Sequence, residues 1–118
     1  TDYPTVSQIQ HGRVVLGNGP TLTHGGCNHP NVIERTEAVA KKKKIDLQHE
    51  AMSATSGTDT DAILWTRGGI PRGLISLPNR YMHSPVELIC LRDLEQIPEL
   101  MACFALSLKK GEKFKVKI

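Results

Sequence analysis

The feature that most constrains how this chain can fold is the order in which its periodicities follow one another. Short runs of continuous or alternating apolar residues take turns with stretches in which apolar residues recur every three or four positions. The order reads strand, helix, strand, helix, strand, helix. Each helix has one apolar stripe that must be buried against another layer, and helices lying on a sheet satisfy this order. We therefore expect an α/β fold: a mixed, partly parallel sheet flanked by helices.

The strongest helix signal starts at Pro30, a residue suited to a first helical position. Val32, Ile33, Thr36, Val39 and Ala40 form one face, while Glu34, Arg35, Glu37 and the lysines Lys41 to Lys44 form the other. Cations near exposed carbonyls favour helix termination there, so the lysine run reads as the end of that helix. Before it lies a turn-rich segment with two short strand candidates, residues 13–16 and 21–23. After it, residues 45–52 alternate as a strand, with Leu47, His49 and Ala51 on one face. Residues 58–67 read as a helix stopped by Gly68 and Gly69, and residues 74–77 as a short strand of the type buried on both faces. A last helix is expected over residues 91–110, kinked or broken at Pro98, with Gly111 as its stop. The tail, residues 114–118, alternates as an edge strand or a frayed end.

Composition removes several classes of function. Hydrophobic residues at 39% and charged residues at 23% exclude a disordered chain. Aromatics are only 4%, too few for base-stacking recognition of single-stranded nucleic acid, and a net charge of +3 permits an anionic partner without demanding one. No run approaches the roughly 20 apolar residues of a bilayer span, and no charged segment leads an apolar one at the start. Three irregularly spaced cysteines, Cys27, Cys90 and Cys103, fit a reduced, cytoplasmic setting. The chain begins at Thr1 without a Met, which suggests processing or excision from something longer.

Three segments could carry chemistry. The first is the loop at residues 78–87, with Arg80, Tyr81, His83 and Glu87, placed after an apolar strand where α/β sheets bind ligands. There an imidazole could ligate a metal with a carboxylate supporting it, or His83 could be a plain surface histidine. The second is Ser56-Gly57-Thr58-Asp59-Thr60-Asp61, where hydroxyls and carboxylates cap a helix or orient a ligand. The third is residues 24–29, with His24, Cys27 and His29, which has too few ligands nearby in sequence for a structural zinc site and reads as entry to the helix at Pro30.

Taken jointly, SGTDTDAILWTRGGIPRGLISLP and RYMHSPVELICLRDLEQI, together with TDYP, LGNGPTLT and the HP before the first long helix, resemble the two-metal aminopeptidases of the glutamyl-aminopeptidase and tetrahedral-aminopeptidase type, often labelled endoglucanases. The resemblance covers nearly the whole chain. It implies that residues 1–118 are the C-terminal portion of a zinc-peptidase-like catalytic domain holding two divalent ions, zinc or cobalt. His83 matches a metal-ligating histidine, Glu87 a glutamate close to it, and Thr58 and Asp59 the family's GTD turn beside the substrate. The remaining ligands and the glutamate general base lie upstream in the family, one ligand aspartate a few residues before the position of Asp2. The expectation is thus a metal-dependent hydrolase of N-terminal residues whose isolated C-terminal part is inactive. Its partners are a peptide substrate, the upstream part of the same protein and further copies in a homo-oligomer. Membrane and nucleic acid are not expected as partners. Arg72 and Arg80 are the cations that an acidic N-terminal residue could meet. Cys90 and Pro98 depart from the family's acidic cap and helix-forming residue, which bears on the last helix and not on the metal site.

A different reading remains on sequence alone. The lysine run and basic tail could make a non-catalytic interaction module that binds an anionic partner. A carbohydrate hydrolase would need two carboxylates flanking a sugar, a pair that the sequence does not place.

Overall fold

The computed structural model describes residues 7–116, so the TDYP stretch and the last two residues of the tail lie outside it. In chain order the elements are a single helical turn, α1 (Gln8–His11), then β1 (Thr21–His24), α2 (Pro30–Lys43), β2 (Gln48–Ala51) and α3 (Thr60–Leu64). A 3₁₀ turn at Thr66–Gly68, β3 (Ile75–Ser76), β4 (Asn79–Arg80), β5 (Leu88–Ile89) and α4 (Leu91–Ser107) follow. One sheet has the order β2-β1-β3, with β1 and β2 parallel and β3 antiparallel to β1; β4 and β5 form a separate antiparallel hairpin. The fold is the mixed, partly parallel α/β arrangement that the alternation predicts.

The β1–α2–β2 unit is its best-specified part. The His29 ring accepts the Asn31 N–H at 3.3 Å, Pro30 opens the helix, and the buried face is Val32, Ile33, Thr36, Val39 and Ala40, as the spacing predicts. Lys44 ends it in the left-handed region at φ 57°, with Lys41, Lys42 and Lys43 exposed over the last turn. The register pairs Leu22 with both His49 and Ile75, so these side chains share a face. Val39, Ala40, Ile45 and the fully buried Leu100 form the core, with Leu47, Ile75 and Cys103 against it.

Elsewhere the sequence reading is corrected. Residues 13–16 form no strand, because the Gln48 side chain serves their backbone: its amide accepts the Val15 N–H at 2.8 Å and donates to the carbonyls of Val15 and Gly19 at 2.9 and 2.8 Å. The strand expected over 45–52 is confined to Gln48–Ala51, the span over which β1 can pair with it. The helix expected over 58–67 keeps only Thr60–Leu64 before Arg67 turns left-handed at φ 51°. The strand expected at 74–77 is the two-residue β3, half-buried and antiparallel rather than buried on both faces.

α4 ends at Ser107 rather than 110 and runs unbroken through Pro98. The carbonyl deprived of its partner there belongs to the exposed Leu94, where water can serve it. Residues 114–116 form no strand; Phe114 instead stacks near Phe104, with ring centroids 6.5 Å apart.

Asp93 joins α4 to the loop before β1. Its fully buried carboxylate accepts the Gly17 N–H at 2.8 Å and the Gly19 N–H at 2.9 Å. Gly19 has φ 93°, and a Cβ there would lie 2.2 Å from the Asp46 carbonyl oxygen, so no other residue fits this passage.

Candidate metal and substrate site

His83 lies in the connection between β4 and β5, a hairpin paired Asn79 to Ile89 and Arg80 to Leu88. Two non-glycine residues of that connection are left-handed, Tyr81 at φ 62° and His83 at φ 64°. Such conformations cost of order 1–2 kcal/mol each and persist only where neighbours hold them. Here Glu87 does the holding: its carboxylate accepts the His83 backbone N–H at 2.7 Å and the Asn79 side-chain amide at 3.0 Å. Ser84 adds a bond from its N–H to the Tyr81 carbonyl and from its hydroxyl to that of Val86. The Asn79 amide, followed by the His83 N–H, holds the Glu87 carboxyl below the usual carboxylate range. Structure thus brings His83 and Glu87 together through the His83 main chain, and both residues are exposed.

The GTD turn is organised around a residue that the sequence reading did not single out. Asp61 accepts the N–H groups of Ser56 and Gly57, the Ser56 hydroxyl and the Arg72 guanidinium, the last at 2.7 Å. These bonds, led by the Ser56 N–H and opposed in part by desolvation, lower its pKa to about 2. The hydroxyls of Ser56, Thr58 and Thr60 meet one another at 2.7 to 3.1 Å above this bracket. Asp59 occupies the N-cap position of α3 without making a side-chain capping bond, so the expected capping role falls to Asp61 as a turn brace. Thr58 and Asp59 are both exposed.

Arg72 has a buried side chain, 4% exposed, held between Asp61 and the Cys27 carbonyl, while its own carbonyl accepts the His29 N–H. It therefore ties the 56–61 turn to the start of α2 and is not open to an acidic substrate, correcting the expectation that grouped it with Arg80.

The residues 24–29 separate in space. His29 caps α2, Cys27 is buried and receives the Asn28 amide at 3.4 Å, and His24 ends β1. Among the described residues, three metal-type donors converge at one place, His24 with Glu37 of α2 and His49 of β2. Neither partner is near His24 in sequence; the parallel β1–β2 pairing across α2 brings them together, a signal legible only once that topology is known.

Residues 1–100 match the M42 glutamyl aminopeptidase family. The lysyl aminopeptidase of Pyrococcus furiosus is 36% identical over 100 residues, covering 83% of this chain and 29% of that protein. Aminopeptidase APDkam598 from the archaeon Desulfurococcus kamchatkensis superposes with a TM-score of 0.79 at 33% identity, over 92% of this chain and 32% of its own. The TET1 peptidase of Pyrococcus horikoshii, described as assembling into a tetrahedron or a large octahedral shell, gives a TM-score of 0.71 at 26% identity, over 91% and 32%. The chain belongs to the M42 glutamyl aminopeptidase family, and it spans about three-tenths of the length of the relatives it matches. No helix among the described residues is long and apolar enough to cross a membrane.

Proposed function

We propose that this chain is the C-terminal portion of the catalytic domain of a metal-dependent aminopeptidase, acting on the N-terminal residue of peptides. The observation that carries the reading is the strained, exposed His83, held at φ 64° by the Glu87 carboxylate at the position where the family resemblance puts a metal ligand. Backbone strain of this kind clusters at functional sites, which supports a working role for the His83 side chain.

The donor set bears on how far this chain goes alone. His83 supplies one imidazole, and no second metal-type donor of the described residues joins it in a group of three. The chain therefore suits a two-ion centre, zinc or cobalt, as contributor of one ligand, with the other ligands and the general base coming from the upstream part of the protein. Two bound divalent ions would supply an activated water and a polarised scissile carbonyl. Glu87 fixes the main chain that carries His83, and the Thr58–Asp59 turn, braced by Asp61, stands beside the substrate with hydroxyls and a free carboxylate for its polar groups. With the general base supplied from upstream on this reading, the isolated chain is inactive.

Two observations support further protein around it. α4 leaves Leu91 69% and Leu106 86% exposed, apolar area that the upstream part or another copy of the protein would cover. The shells described for the Pyrococcus horikoshii relative support a homo-oligomer. The unpaired cysteines fit a reduced, cytoplasmic setting.

The test is hydrolysis of aminoacyl-anilides with added zinc or cobalt, by the chain alone and by a chimera in which it replaces the matching segment of the Pyrococcus furiosus lysyl aminopeptidase. We expect turnover from the chimera only. Robust turnover by the isolated chain, or a folded chimera that binds metal yet is inert on all anilides, would overturn the reading.

A further inference from the structure

From the convergence of His24, Glu37 and His49 we infer that this chain carries a second kind of metal site, a surface His₂Glu centre for a zinc-class ion that shares no residue with the His83 hairpin. The inference does not depend on the aminopeptidase reading.

The geometry is the main argument. His24 Nε2 and His49 Nδ1 are 2.8 Å apart, and Glu37 Oε1 lies 3.5 and 3.7 Å from them. A tetrahedral ion with bonds of about 2.0–2.1 Å spaces its donors about 3.3–3.4 Å apart; the two distances to Glu37 lie close to this, and the two nitrogens, now at hydrogen-bond distance, need to open by about 0.5 Å. An ion about 2.0 Å from all three atoms fits over the face of this triangle without a change of fold. The imidazole centroids are 5.0 Å apart with the rings inclined at 52°, so the rings are tilted rather than stacked.

The local chemistry agrees. Two imidazole nitrogens and one carboxylate oxygen form a borderline donor set that suits zinc, cobalt or nickel and is poor for calcium or magnesium. With no ion, at most one proton can bridge the two nitrogens, and the carboxylate oxygen sits too far from either for a short hydrogen bond. The side chains are 40–52% exposed, so ions can reach the site and water can complete the fourth position.

The three donors come from the three parts of one folding unit: His24 ends β1, Glu37 lies on the crossover helix α2, and His49 is on the edge strand β2. A bound ion would link the helix to both strands, and binding to the folded state alone raises stability by mass action. The role follows as a stabilising clamp on the β1–α2–β2 unit.

The reduced 118-residue chain can be titrated with zinc by calorimetry and with cobalt by visible absorption, alongside the His24→Ala, His49→Ala, Glu37→Gln and His83→Ala variants. We expect a zinc-class site that weakens about tenfold or more in each of the first three variants and is unchanged in His83→Ala. Zinc should also raise the thermal midpoint of the unsubstituted chain and shift the nitrogen resonances of His24 Nε2 and His49 Nδ1. That readout needs no variant to fold. Absence of zinc-induced shifts at those two nitrogens, or binding insensitive to His24 and His49, overturns the proposal.

Discussion

Replacing Asp93 with alanine should be among the most damaging single changes to this fold outside its apolar core. The carboxylate is fully buried and accepts two main-chain N–H groups, from Gly17 and Gly19, which anchors the loop before β1 to the first turn of α4. A hydrogen bond to a charged group contributes about 1.5–3 kcal/mol, so two amount to about 3–6 kcal/mol. Removing the carboxylate also relieves its own desolvation, and water can reach the half-buried Gly17, which brings the expected loss to about 3 kcal/mol. For 118 residues the unfolding entropy near the midpoint is about 0.25 kcal/mol/K, so the thermal midpoint should fall by about 12 °C. Urea titration and calorimetry of Asp93→Ala read this directly, and hydrogen exchange should show protection lost first at the Gly17 and Gly19 amides. Asp93→Asn keeps one acceptor and should fall between the two. A loss below about 1 kcal/mol, with both amides still protected, would refute the anchoring argument.

Further outcomes follow from the same contacts. Leu100→Ala removes the fully buried centre of the Val39–Ala40–Ile45 cluster and should cost about 2–5 kcal/mol in urea unfolding. Asp61 has a folded-state pKa of about 2, below its ordinary 3.8, so its contribution to stability is present above about pH 4 and is lost as pH falls toward 2. An acid-unfolding profile of Asp61→Asn should lack that decline, and the buried Arg72, which keeps the Cys27 carbonyl but loses its counter-charge, should make this variant less stable at neutral pH. His83→Gly relieves a left-handed residue and should leave stability equal or raise it by up to about 1–2 kcal/mol while removing an imidazole. A destabilised His83→Gly would make that side chain a structural one.

What could be read in the sequence follows the length of each local signal. α2 was legible to its buried face because fourteen residues carry the periodicity, a Pro opens it and a lysine run closes it. The strands are two to four residues long, too short for alternation to set their ends; partner length set them instead. Gln48 shows a further limit, since one side-chain amide replaced the ladder that residues 13–16 would have needed. At Pro98 the expected break does not occur, because a helix tolerates one lost bond where water can reach the freed carbonyl, here that of the exposed Leu94. At the candidate site, His83 and Glu87 were legible because they are four residues apart on one hairpin. The Asp61–Arg72 brace and the His24–Glu37–His49 convergence were not, since both depend on which loops and strands become neighbours.

The central claim is that His83 serves a metal-dependent aminopeptidase centre, and it is tested most directly by His83→Ala in the chimera with the Pyrococcus furiosus lysyl aminopeptidase. Metal content and kcat/KM on aminoacyl-anilides would be measured together. The account predicts an assembled, folded protein that has lost bound metal and roughly 100-fold or more of its kcat/KM. Equal metal content and equal turnover in the His83→Ala chimera would contradict it.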